Sequence, residues 1–254
     1  MPTATMSRYK LGKHPARFEK NIPQFGKYLT SQLPAPPDQI AWQNKVTTWP
    51  MMGNDTLGDC TCAAAGHMIE SWTANAQASS VIIPDAQIEA FYNHFSHGNA
   101  DAGANMIDVL KYWHTHGLDK DKISAFAQLE PQNQNQAMDS VYFFGACYIG
   151  LALPNFAVAP NTDFLATPWV VPPQGATGDA APNQNNGHCV PAVGYDQRNL
   201  YVVTWGALKS MSWQFYTTYM EEAFAVLSPD FLTGQKSAPN GFDLAALQAD
   251  LQAL

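Results

Sequence analysis

The sequence is poor in charge, in cysteine and in long apolar runs. Only 13% of its 254 residues are charged, against 46% hydrophobic. That balance excludes intrinsic disorder, which needs the reverse. Basic residues are fewer still: Lys+Arg is 13 against Asp+Glu 21, a net charge of −8. With no Lys/Arg cluster, neither nucleic acid nor an anionic membrane is expected as a partner. The longest apolar run, residues 141–153, has 13 residues, short of the ~20 that span a bilayer. Residues 1–21 are polar and basic and lack an apolar signal core, so a cytoplasmic, bacterial-type protein is expected. Four cysteines are too few for a disulfide framework, and Cys60 and Cys62 are too close for an ordinary bridge.

What remains is enough chain for a large core. Residues 1–36 are proline-rich (Pro15, Pro23, Pro34, Pro36) and read as an extended strap. The segment 60–75 is Ala-rich and helix-favouring. Helices are also expected over 85–97, 104–116 (with Gly117 as a stop) and 134–143. Strands are expected over 146–153, 188–195, 200–205, 213–219 and 222–227. The stretch 154–187 holds six prolines and little periodicity; loops of that length usually serve function. Leu244, Leu247, Leu251 and Leu254 form one apolar helical stripe in a tail, 236–254, expected to dock on the body. A helical half followed by a β half gives an α+β fold in two lobes.

Chemistry is concentrated at Asn54-Asp-Thr-Leu-Gly-Asp-Cys60-Thr-Cys62, where a loop containing Gly58 delivers Cys60 to a helix start. Backbone N–H groups and the helix dipole favour thiolate there. A nucleophilic cysteine needs a base. His67 lies on the same helix but roughly 10 Å along its axis, so it reads as a core histidine. His14, His94, His97, His114 and His116 read as ordinary residues of the strap and other helices. His188 differs: it opens an apolar strand directly after the long loop, where a β lobe can present it to a helix-start nucleophile.

Three blocks then resemble the papain-like cysteine peptidases. Residues 37–60, with Trp42, Pro50, Asn54 and Gly58-Asp59-Cys60, resemble the approach to that family's catalytic cysteine. His188-x-Val190-x-x-Val193-Gly194-Tyr195 resembles its histidine strand. Tyr201-Val-Val-Thr204-Trp205-Gly206 resembles its Asn-Ser-Trp-Gly strand. The resemblance implies a papain-like two-lobed fold over 37–235, with a helical lobe over 55–135 and an antiparallel β lobe over 136–235. It implies Cys60 as nucleophile, His188 as base, Asn54 as an oxyanion donor and Trp205 as the aromatic shielding the histidine's orienting partner. No cofactor or metal is implied, and the partner is a peptide or small amide substrate.

Two departures bear on activity. Aligned without gaps, Val203 takes the place of the asparagine that orients the histidine, and valine accepts no hydrogen bond. The orienter is then Thr204 after a local shift, a backbone carbonyl, Asp196 or Asn199, or none exists. Asp59 opposes a neighbouring thiolate unless it turns away to cap the helix. These departures leave two functions: a cysteine peptidase, amidase or acyltransferase working through a thioester, or a catalytically impaired binding module on the same fold. A metal site from Cys60, Cys62, His67, His188 or Cys189 is a third and weaker pattern. The low-charge loop 154–187, with Trp169, Asn186 and Gly187, is expected to line the cleft beside Gly58 and Asp59, favouring a neutral substrate. The strap is short for an inhibitory propeptide of that family and is expected to brace the body or partly cover the cleft.

Overall fold

A computed structural model describes residues 9–77, 79–96, 101–159, 167–234 and 241–252. In chain order its elements are β1 (Ile40–Ala41), α1 (Cys60–Ala76), α2 (Asp85–Ser96), α3 (Met106–His116), β2 (Ala125–Gln128), α4 (Gln134–Phe144), β3 (Cys147–Ala152), β4 (Gly187–Tyr195), β5 (Asn199–Thr204), β6 (Ala207–Ser212), α5 (Trp213–Tyr219), β7 (Met220–Leu227), α6 (Pro229–Gly234) and α7 (Leu244–Leu251). The strands form one antiparallel sheet in the order β2-β7-β3-β4-β5-β6, with β1 paired to β4. The fold is α+β, and α1 lies against β4.

The central helix shows why the site is rigid. α1 is buried from Cys60 through Ala74, as expected of a helix without a polar face. Its Ala63-Ala64-Ala65-Gly66 run lets neighbours approach closely; a side chain on Gly66 would overlap Met52 and Ile88. α3 and α4 each start on an N-cap asparagine. The Asn105 side chain accepts from Ile107 N–H, and the Asn133 side chain accepts from Gln136 N–H. Gly117 and Gly145 end them with positive φ. β4 is buried along all nine residues, the mark of a central strand covered on both faces.

Some elements differ from expectation. The segment 213–219 is a helix, not a strand. Its aromatic content suggested β structure, but Trp213, Tyr216 and Phe215, Tyr219 repeat at three and four residues, and Ser212 caps Phe215 N–H. β2 and β6 had no alternation strong enough to mark them. In the C-terminal helix Leu247 and Leu251 are buried, while Leu254 lies outside the described residues, as does His97. The docking of α7 is polar as well as apolar. Asp250 accepts from Tyr28 Oη at 2.5 Å and from Lys27 Nζ at 2.6 Å, and so ties the tail to the N-terminal segment. No helix among the described residues is long and apolar enough to cross a membrane.

Candidate active site

Asp59 is the N-cap position of α1 and Cys60 its first residue. The carbonyl of Asp59 accepts from Cys62 N–H at 2.7 Å and Ala63 N–H at 2.9 Å. Its carboxyl does not cap the helix; both oxygens are buried without a close hydrogen bond. Burial pushes Asp59 up to about 8, which favours the neutral carboxyl, and that form opposes a thiolate far less than a carboxylate would. Asn54 is buried two turns of loop earlier, and its Nδ2 donates to Leu57 O at 3.0 Å. That bond fixes the amide, whose side chain also favours the charged form of Asp59 by hydrogen bonding.

On the facing wall, His188 is the second residue of β4 and is 1% exposed. Its Nε2 lies 2.7 Å from Thr204 Oγ1. Of the alternatives, Thr204 is the side chain within hydrogen-bond reach of the imidazole. Val203 points to the other face of β5, as strand alternation requires. Asp196 and Asn199 are engaged in the β4–β5 turn, where Asp196 Oδ1 accepts from Arg198 N–H and Asn199 N–H at 2.7 and 2.8 Å. The Trp205 ring stacks on the imidazole with centroids 4.2 Å apart and planes 18° from parallel. Trp205 and Gly206 form the two-residue turn between β5 and β6, with φ of 45° and 70°. A positive φ is costly for a bulky residue and is found where a site fixes it. Here it lays the indole over the His188–Thr204 pair.

The two walls meet at the sulfur. The backbone N–H of Cys189, next to the histidine, and that of Gly12 both favour the Cys60 thiolate, yet burial outweighs them and pushes the thiol up to about 12. Burial likewise pulls His188 down to about 3. Nδ1 of His188 makes no hydrogen bond with any described residue, Cys60 included. Burial thus disfavours the charged form of each group, and with it the ion pair of an activated thiolate.

The strap lies across this buried site. Residues 9–14 thread between the walls. Lys10 N–H donates to Asn54 O at 3.3 Å, and Gly12 and Lys13 N–H groups donate to Gly187 O at 3.3 and 3.1 Å. On the other side, Ala104 N–H donates to Gly12 O at 2.8 Å and His14 N–H donates to Ala104 O at 3.0 Å, a parallel bridge centred on Lys13. A side chain on Gly12 would overlap the Gly58 carbonyl. The Trp205 indole N–H donates to Lys10 O at 2.9 Å, and Tyr9 packs on the same indole at 4.8 Å. Asp101 accepts from Gly58 N–H and from Lys10 Nζ, clamping the strap to the loop before Cys60.

Of the other expected residues, Gly187 and Gly58 line the cleft through their backbones. Asn186 instead donates to Asn155 Oδ1 at 3.1 Å in a surface amide cluster. Trp169 reaches the site indirectly: it pairs with the edge of β6, stacks on Phe215 and meets Trp205 edge-on at 6.2 Å. His67 is a core residue, 2.8 Å from Pro50 O. Among the described residues no three His, Cys, Asp or Glu side chains are grouped to hold a metal. The strap contacts at Gly12, Lys13, Ala104 and Asp101 had no sequence signal beyond short residues near Gly58 and Gly103.

No protein-family model matches the sequence, and neither does any curated protein sequence. Solved structures do match. The chain is similar to xylellain, a cysteine protease from Xylella fastidiosa, at 14% identity and a TM-score of 0.65, covering 89% of this chain and 99% of that one. It is similar to the cysteine protease and lectin-like domains of Cwp84 from Clostridium difficile, at 12% identity and a TM-score of 0.58, covering 89% and 57%. Bromelain from Ananas comosus, in complex with the E64 inhibitor, matches at 14% identity and a TM-score of 0.51, covering 75% and 99%. The fold is therefore that of the papain-like cysteine proteases.

Proposed function

We propose that this chain is a papain-fold cysteine peptidase or amidase held in a latent, strap-covered state. The observation that carries this reading is the state of His188: a buried imidazole with Nε2 held by Thr204 under Trp205, and Nδ1 unpartnered beside the Cys60 wall. An unpaired buried nitrogen costs on the order of 1–3 kcal/mol. A scaffold retains it where the nitrogen has a proton to move.

With the strap displaced, water enters and the thiol and imidazole move back toward their ordinary ranges. Nδ1 takes the Cys60 proton while Nε2–H donates to Thr204. The thiolate attacks the substrate carbonyl carbon and a C–S bond forms. The oxyanion receives the Cys60 N–H and an Asn54 N–H that turns to it from Asp59. Nδ1–H then protonates the leaving amine as the C–N bond breaks. Water, giving its proton back to Nδ1, hydrolyses the thioester and regenerates the thiol.

A second reading, the impaired binding module, is favoured by the missing Cys60–His188 hydrogen bond and by a neutral hydroxyl in the orienter's place. One experiment separates the two. Peptide-amide turnover and the pH dependence of Cys60 carboxymethylation by iodoacetamide are measured in a chain whose strap has been loosened, and in its His188→Ala and Cys60→Ser derivatives. Catalysis requires turnover lost in both derivatives and a labelling pKa below ~8.5 that rises without the histidine. An inert or ordinary thiol with no turnover establishes the module.

A further inference from the structure

The strap does more than cover the sulfur: it inserts one side chain into a built pocket. Lys13 is a lysine with no side-chain exposure at all. Its Nζ donates to Glu221 Oε2 at 2.7 Å and to His14 O at 2.9 Å, and lies 3.5 Å from Glu222 Oε1. The stem runs over Gly150, where any side chain would overlap both Lys13 and Met106. Glycine at 150 thus opens the bore that the four methylenes fill.

The sheet is modified to place the two acids. In a regular strand Glu221 and Glu222 would face opposite sides. Gly150 pairs with Glu222 and Leu151 with Met220, so Glu221 is the extra residue of a β-bulge. A bulge re-aims side chains, and this one turns both carboxylates to the same ammonium. Glu222 is 2% exposed, and neither of its oxygens has a hydrogen-bond partner. Two acidic side chains meet at the end of an apolar bore, and a charged carboxylate there is costly to leave without a cation.

The main chain beside this pocket is also fixed. Gly187 O, next to His188 in the chain, and Ala104 N–H and O hold residues 12–14. A peptide that reaches the sulfur must displace the strap from those groups, and the pocket then empties next to the incoming chain. We propose that the pocket lined by Gly150, Met106, Glu221 and Glu222 is a substrate-recognition pocket for a lysine-type cationic side chain, and that Lys13 is its resident occupant. The inference rests on the peptidase reading above and names the substrate class for it: peptides with a basic residue near the cleaved bond. The low charge of loop 154–187 pointed instead to a neutral substrate, because the acids that set this preference come from a distant strand.

The test uses the full chain carrying Lys13→Met, which keeps an apolar stem in the bore and removes the cation; Lys13→Ala serves as a second variant should the first fold poorly. The probes are the acetylated peptide amide Tyr-Lys-Leu-Gly-Lys-His-Pro, corresponding to residues 9–15, and its analogue with norleucine in place of the second lysine. Carboxymethylation of Cys60 is followed by fragment mass spectrometry. The lysine peptide is expected to slow labelling at a concentration at least about tenfold below that needed for the norleucine peptide. The Glu221→Gln/Glu222→Gln form should lose the difference. Equal protection by the two peptides, or protection by neither, overturns the pocket. Turnover of peptide amides with lysine or norleucine at each position is measured in parallel. Lysine-selective protection without any turnover retains the pocket and sinks the peptidase reading; turnover without selectivity does the reverse.

Discussion

The helix wall and the sheet wall of the cleft treat buried polar groups in opposite ways. On the sheet wall nearly every polar atom is paired: Nε2 of His188 with Thr204, the Trp205 indole with Lys10, the Gly187 carbonyl with two strap N–H groups. Nδ1 of His188 and the Glu222 carboxyl are exceptions. On the helix wall the Asp59 carboxyl has no close partner and the Cys60 thiol is held as a thiol by burial. One wall sets geometry through hydrogen bonds, and the other holds acids whose charged forms burial disfavours. On the proposed latent reading both are needed, because an ion pair in a desolvated cleft has little to support it.

The largest expected effect falls where the walls must cooperate. In the Lys13→Met chain, His188→Ala should lower kcat/KM for a peptide amide by about a thousandfold or more, as loss of a general base does elsewhere. Turnover within tenfold of the parent would show that the walls act independently. Next is the strap. Gly12→Val places a branched side chain against the Gly58 carbonyl and should raise the Cys60 carboxymethylation rate by about a hundredfold, since local opening then dominates protection. An unchanged rate would mean that the strap is not what keeps the helix wall dry.

A smaller effect is expected on the sheet wall alone. Thr204→Val leaves Nε2 without a partner and should reduce kcat by about 10–100-fold with little change in KM, whereas Thr204→Asn, which restores an acceptor, should recover most of it. Equal loss in both would assign Thr204 to packing.

The smallest effect is on stability against pH. Asp59, Glu70 and Glu222 are raised by burial to about 8, 7 and 7, above their unfolded values near ~4. Their contribution is whole below pH ~4 and is lost as pH rises through 7–8. His67 and His188 are lowered by burial to about 4 and 3. Their contribution is whole above ~6.5 and is lost as pH falls from there toward 3. Urea midpoints at pH 5, 7 and 9 should therefore decline less steeply on the alkaline side in Asp59→Asn than in the parent. Parallel curves would show that Asp59 is ionised in the fold.

Much of the site could be read one residue at a time. Cys60 at a helix start, His188 at the head of an apolar strand and Trp205 before Gly206 each carry a local signal, and the resemblance supplies their order. Thr204 could be reached only as one alternative among several, because which residue of β5 faces the histidine depends on register. That register contains a shift between Ala192 and Gly194, invisible to a gapless alignment. The helix over 213–219 was misread because Trp, Phe and Tyr favour strands, while its cap, Ser212, is a common residue. Lys13 gave no signal, since a lysine in a proline-rich segment reads as solvated.

The amino-acid order alone determined the α+β class, the central Ala-rich helix, its cysteine and the histidine strand, because these depend on periodicity, caps and short-range composition. Tertiary structure alone decided that residues 9–14 lie across the sulfur, that Thr204 meets Nε2, and that a one-residue bulge in β7 turns two glutamates toward a buried lysine. Such contacts join segments tens to hundreds of residues apart, and pairing at that range is fixed by packing and strand register, which no local pattern encodes.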